Sequence, residues 1–133
     1  MLEKDIKKKF VEEWLGTFQN LLGVKNLRLY STEFPVRTPD GTKYADIVLE
    51  IDNHEIWSNN ILIVMEWKKD KIDTGVVEQV LRYSSYIGKQ LYRKKEVLSF
   101  IAGPDFSNWE LKMCKEHNVH PLQFDLRGNM EIL

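Results

Sequence analysis

Residues 61–70 read ILIVMEWKKD, and residues 44–52, a short distance earlier, read YADIVLEID. Both stretches are apolar enough to be buried strands, yet each carries charge where burial is expected. Side chains alternate faces along a strand, so Glu66 and Lys68 point one way and Trp67 the other. In the earlier stretch Asp46 stands between Ala45 and Ile47. Alternation puts Ala45, Ile47, Leu49 and Ile51 on one face and Tyr44, Asp46, Val48 and Glu50 on the other. Burying a charge is costly unless it is paired or bound to a metal. Two carboxylates and a lysine inside apolar strands therefore mark a candidate site.

The elements around these strands follow from periodicity and turn chemistry. Residues 2–22 predict an amphipathic helix with Ile6, Phe10, Trp14, Phe18, Leu21 and Leu22 on its apolar side and Gly23 as C-cap. Residues 27–36 predict a strand. The turn signal TPDGT at 38–42 joins it as a hairpin to the strand at about 44–51. Residues 52–60 predict a loop, and 61–68 a central strand. A helix is expected over 74–92, N-capped by Asp73 or Thr74, with Val76, Val80, Ile87 and Leu91 buried. A strand at 97–102 and a helix at 108–117 follow, the helix opened by a Ser107–Glu110 capping box. The strand at 119–124 contains Pro121 and is expected at a sheet edge. The order helix, three strands, helix, strand, helix, strand predicts a mixed sheet flanked by helices, an α/β or α+β domain.

Composition fits this expectation. The 133 residues are 43% hydrophobic and 29% charged, enough for one domain over 1–133 with one core. One cysteine, Cys114, excludes an internal disulfide and cysteine-rich metal centres. No apolar run approaches a membrane span, and MLEKDIKKKF lacks the apolar core of a secretory signal, so a cytoplasmic location is expected. The net charge of −1 gives no global basic signature. Positive charge is clustered, however, at Lys7–Lys9, at Lys68, Lys69 and Lys71, and at Lys89, Arg93, Lys94 and Lys95. Each cluster read alone is a solvated helix face or loop end.

The carboxylates suggest a chemistry. Phosphodiester hydrolysis needs an activated water and neutralisation of charge on phosphate, and hard cations held by carboxylates supply both. Mg²⁺ takes a few carboxylate ligands and keeps waters. Asp46 and Glu66 are candidate ligands, and Lys68 is placed to orient water or neutralise phosphate.

Asp46, nineteen intervening residues and then Glu66-Trp67-Lys68 resemble the signature of the PD-(D/E)xK nuclease superfamily. Gln79 and Tyr83, four residues apart on the following helix, resemble the Gln-xxx-Tyr motif of its RecB-like branch. The tail FIAGPDFSNWELKMCKEHNVHPLQFDL looks like the closing strand–helix–strand of RecB-like or NucS-like domains. One departure is Ala45, where the family often has proline. The resemblance implies a restriction-endonuclease-like αβββαβ core and a Mg²⁺- or Mn²⁺-dependent nuclease acting on DNA. It implies Asp46, Glu66 and the Trp67 carbonyl as metal ligands, Lys68 as catalytic lysine, and Gln79 and Tyr83 as positioning residues. A first-helix glutamate often completes such sites. Glu13 is preferred because it flanks the apolar stripe, with Glu12 and Glu3 as alternatives. Lys69, Lys71, Arg82 and Lys89 are candidate phosphate contacts by charge and proximity.

Rival readings remain open: a non-catalytic nucleic-acid-binding or interaction domain of the same fold, or a structure-selective junction resolvase working as a homodimer. His117 and His120 lack a third ligand at suitable spacing and are expected to be structural. His54 is expected to be solvated, the tryptophans to be core or rim packing, and Cys114 to be packing.

Overall fold

A computed structural model describes residues 2–52, 61–70, 72–91 and 96–133. Its helices and strands run in the predicted order, with one strand more than expected. The N-terminal helix comprises α1 (Glu3–Lys9), a π-helical stretch (Phe10–Trp14) and α2 (Leu15–Leu22). The strands are β1 (Leu27–Thr38), β2 (Gly41–Ile51), β3 (Ile61–Trp67), β4 (Glu96–Gly103), β5 (His120–Phe124) and β6 (Met130–Ile132). Helix α3 (Thr74–Gln90) joins β3 to β4, and α4 (Asn108–Glu116) joins β4 to β5.

The six strands form one sheet in the order β1-β2-β3-β4-β5-β6. β3 pairs antiparallel with β2 and parallel with β4, so the sheet is mixed and β3 is interior. This is why its sequence is almost wholly apolar: both faces are covered. Ile63, Met65 and Trp67 pack with Ile6, Phe10, Trp14 and Phe18 of the N-terminal helix. Leu62 and Val64 pack on the other side with Val76, Val77, Val80 and Ile87 of α3 and with Met113 and Cys114 of α4. Each fully buried Leu, Ile or Phe contributes roughly 1.5–3 kcal/mol of transfer free energy.

The π-helical stretch follows from the apolar spacing. Ile6, Phe10, Trp14 and Phe18 are four residues apart and all are buried. An α-helix turns once per 3.6 residues, so each four-residue step drifts by about 40°. The wider turn at Phe10–Trp14 takes up that drift and keeps the four side chains on the sheet. Leu21 falls off this line and is exposed, against expectation, whereas Gly23 ends the helix at φ 69 as predicted. Asp73 caps α3, and both hydrogen bonds of the Ser107–Glu110 capping box form.

Two further expectations are corrected. Pro121 does not mark the edge: Asp125 accepts the amides of Arg127 and Asn129, and the tight turn returns the chain as β6 outside β5. Pro121 is tolerated there because its carbonyl, not the N–H it lacks, receives the bond from Leu133 N. Ala45 also does not share a face with Ile47 and Leu49. It joins the cluster under α3, whereas they join the cluster under the N-terminal helix. The ladder pairs Thr32 with Ile47 and Phe34 with Ala45, and between them Glu33 lies at φ 47. A left-handed residue in a strand breaks the pleat, so β2 changes face at Asp46.

No helix among the described residues is long and apolar enough to cross a membrane. Residues 53–60, with His54 and Trp57, lie outside the described residues, as do Lys71, Arg93, Lys94 and Lys95.

Candidate active site

Asp46 and Glu66 meet where two strands part. The β2–β3 ladder begins at Ile47–Met65 and does not extend to Asp46. There the Asp46 side chain takes over from backbone, its Oδ2 accepting the Trp67 amide at 2.8 Å. The Asp46 amide in turn points at Glu66 Oε1, 3.4 Å away. The face change at Asp46 and the strict alternation of β3 thus bring the two carboxylates together.

Glu66 is 2% exposed. Burial, then the neighbouring Asp46 charge, push its carboxyl up to about 9, with Lys68 pulling weakly the other way. The contrast with Glu50, the other fully buried glutamate, is instructive. Glu50 is held by the Arg28 guanidinium, whose Nε donates at 2.9 Å, and it is a paired structural charge. Among the described residues Glu66 has no such partner cation. Two oxygen-rich acids sharing a site, one of them reluctant to ionise, form a donor set suited to a hard cation. Among the described residues no group of three or more His, Cys, Asp or Glu is placed to hold a metal ion.

Lys68 follows the end of β3, its amide bonded to Ala102 O at 2.8 Å, and is half-buried. Gln79 Nε2 donates to Tyr83 Oη at 3.2 Å, so the helical pair forms one unit. Tyr83 is buried, and its hydroxyl is held above its ordinary value by that burial. Gln79 works against the shift, and the charges of Glu66 and Asp46 add to it. Gln79 and Tyr83 line a cleft of about 320 Å³ with Lys43, Gly75, Glu78 and Arg82. Trp67 packs into the opposite cluster, against Phe10 and Phe124.

The first-helix acid is corrected. A second cleft, of about 260 Å³, opens beside Asp46 and is lined by Lys4, Lys7, Lys8, Val11 and Glu12. Their spacing of three, four, seven and eight residues is one helix face. Glu13 falls off this face; both glutamates are exposed, but of those considered only Glu12 lines the Asp46 cleft. The sequence reading preferred Glu13; the glutamate of this helix beside Asp46 is Glu12.

Among the phosphate candidates, Arg82 is tied to Asp40 at 2.7 Å and Lys89 lies over the Tyr86 ring. Lys69 lines a separate depression with Phe124 and Asp125. None of these three lines the Asp46 cleft. Lys7 and Glu33, which the sequence did not single out as site residues, line it. Lys7 Nζ lies 3.1 Å from Asp46 Oδ1 and 3.1 Å from Glu33 Oε1. Burial opposes the Lys7 charge, but Asp46 and Glu33 overcome it and hold the ammonium above its ordinary value. In sequence Lys7 was one of a lysine run, and nothing local ties it to residue 46.

His120 stacks on Phe100, and His117 caps α4. Cys114 is buried, which, with Glu110, pushes its thiol up to about 11, away from nucleophilic use. Trp109, expected in the core or rim, is 68% exposed.

No protein-family model and no curated protein matches the chain. Solved structures do. A repair endonuclease from Pyrococcus abyssi superposes with a TM-score of 0.68 at 16% identity, covering 94% of this chain and 47% of that one. The EndoMS–dsDNA2 complex superposes with a TM-score of 0.60 at 11% identity, covering 91% of this chain and 44% of that one. The chain thus spans about half the length of either. What it shares with both is the fold, the mixed α+β sheet flanked by helices that the sequence predicted.

Proposed function

We propose that the protein is a divalent-metal-dependent nuclease acting on DNA, with its centre at Asp46 and Glu66. The observation that carries this reading is the pairing of half-buried Asp46 with buried Glu66 where two strands part. A buried charge network rarely improves on apolar packing, so its retention is better explained by chemistry than by stability. The fold shared with a repair endonuclease and with a protein solved on double-stranded DNA supports the choice of substrate.

Asp46 and Glu66 would hold Mg²⁺ or Mn²⁺. The Trp67 N–H points to Asp46, and strand geometry places the Trp67 carbonyl on the same side, where β2 has turned away. That carbonyl would be a third oxygen ligand. The chemistry such a cation supplies when bound is neutralisation of phosphate charge and activation of water near neutral pH. Lys68 orients the attacking water or offsets charge on the phosphate. Gln79, through its bond to Tyr83, fixes the hydroxyl in the α3 cleft, where it positions the substrate strand or Lys68.

The test is cleavage of single-stranded, duplex, flapped and four-way-junction DNA with Mn²⁺ or in excess chelator. The proposal expects metal-dependent cleavage that Glu66→Ala abolishes. Robust cleavage in chelator would remove the metal mechanism. DNA binding without cleavage on every substrate would favour the non-catalytic alternative.

A further inference from the structure

Asp46 has two oxygens, and Oδ2 is committed to the Trp67 amide at 2.8 Å. The other, Oδ1, carries the Lys7 ammonium at 3.1 Å. Each oxygen keeps a second lone pair, so Lys7 competes with a cation at Asp46 by its charge and place and not by filling the carboxylate. It is not a loose surface contact: the Lys7 side chain is 18% exposed and that of Asp46 is 13% exposed. The same ammonium also bonds Glu33, at the cleft rim and 58% exposed. Glu33 sits where β1 takes its left-handed turn, opposite the point where β2 changes face. The backbone irregularity that turns Asp46 inward thus also sets a second acceptor beside Lys7.

We propose that Lys7 is a built-in competitor for the metal at Asp46, and that cation binding transfers its ammonium wholly to Glu33. The inference rests on the metal reading of Asp46 and Glu66. In the metal-free protein Lys7 balances the Asp46 charge. When a cation binds, two positive charges would share Asp46 Oδ1, and Lys7 gives way. The displacement is small because the Glu33 bond already exists and only the Asp46 bond breaks. Lys4 and Lys8, exposed on the same helix face, discourage retreat in the other direction.

The test is a Mn²⁺ titration followed by electron paramagnetic resonance, on wild type, Lys7→Gln, Lys7→Arg, Glu33→Gln and the double variant. Part-buried ion pairs are worth modest free energies, so Lys7→Gln should bind Mn²⁺ about threefold to tenfold tighter. Lys7→Arg, which keeps the competing charge, should bind as wild type does. Glu33→Gln removes the charge of the second partner, leaving a weaker neutral acceptor, and should bind more weakly, and this effect should vanish once Lys7 is Gln. Equal or weaker Mn²⁺ binding by Lys7→Gln, with its fold verified by its melt in chelator, would overturn the inference and leave the metal reading intact. If Lys7→Gln does not fold, Lys7→Arg and Glu33→Gln decide: unchanged affinity in Glu33→Gln overturns the proposal. Failure of wild type and every variant to bind Mn²⁺ would overturn the metal reading, and the inference with it.

Discussion

Glu66 makes the metal-free protein pay for its site, and replacing it with glutamine should recover the cost. Glutamine is the isostere of the protonated acid: its oxygen still accepts from the Asp46 amide, and its NH₂ can donate to the Asp46 carboxylate. The native state holds the Glu66 proton up to about 9, whereas the ordinary value is 4.5. Between those values the folded protein binds a proton that the unfolded chain has released. Stability is therefore full below pH 4.5, falls as pH rises, and levels off above about 9. The slope is about 1.4 kcal/mol per pH unit, so about 3 kcal/mol is lost at pH 7. For a chain of this size that is on the order of 10 °C in Tm. Melts of wild type and Glu66→Gln in chelator, from pH 5 to pH 9, read the difference directly. The variant should match wild type to within about 1 kcal/mol near pH 5, exceed it by about 3 kcal/mol at pH 7, and gain further towards pH 9. Adding Mn²⁺ should raise the wild-type Tm and leave the variant's unmoved. A variant that melts below wild type at pH 7 in chelator, or a difference that does not grow with pH, would refute the reasoning and make Glu66 a structural partner.

Other outcomes are expected. Glu66→Ala should abolish Mn²⁺-dependent DNA cleavage, checked on the substrate panel with the circular-dichroism spectrum as control. Gln79→Ala and Tyr83→Phe should each slow cleavage on the order of tenfold to a thousandfold while Mn²⁺ affinity stays near wild type; wild-type rates for both would make the helical pair incidental. Gly128→Ala should cost on the order of 1–3 kcal/mol, measured by denaturant melt, because the residue sits at φ 89. A Cβ there would also lie 2.6 Å from the Trp14 indole nitrogen.

The sequence by itself determined the elements and the central charges. β3 was legible because an interior strand covered on both faces must be apolar throughout, so Glu66 stood out against it. The capping box at Ser107, the Asp73 cap, the Asp40-Gly41 turn and the Gly23 stop were legible because caps and turns are decided by a few neighbouring residues. The likeness of the Gln79–Tyr83 spacing to one helix edge was legible for the same reason. The strand after Phe124 was missed because its three residues carry too little pattern, and only the Asp125 turn and pairing with β5 define it. Tertiary structure alone decided the rest of the site. Strict alternation fails at Asp46 because Glu33, on the neighbouring strand, takes a left-handed conformation that no local rule assigns to glutamate. Which flank of the first helix faces the carboxylates depends on how the helix crosses the sheet, so Glu13 was chosen where Glu12 lines the cleft. Lys7 reaches Asp46 across 39 residues. A lysine run in sequence is a solvated face until packing brings one of its members against an acid, and packing is a property of the whole fold.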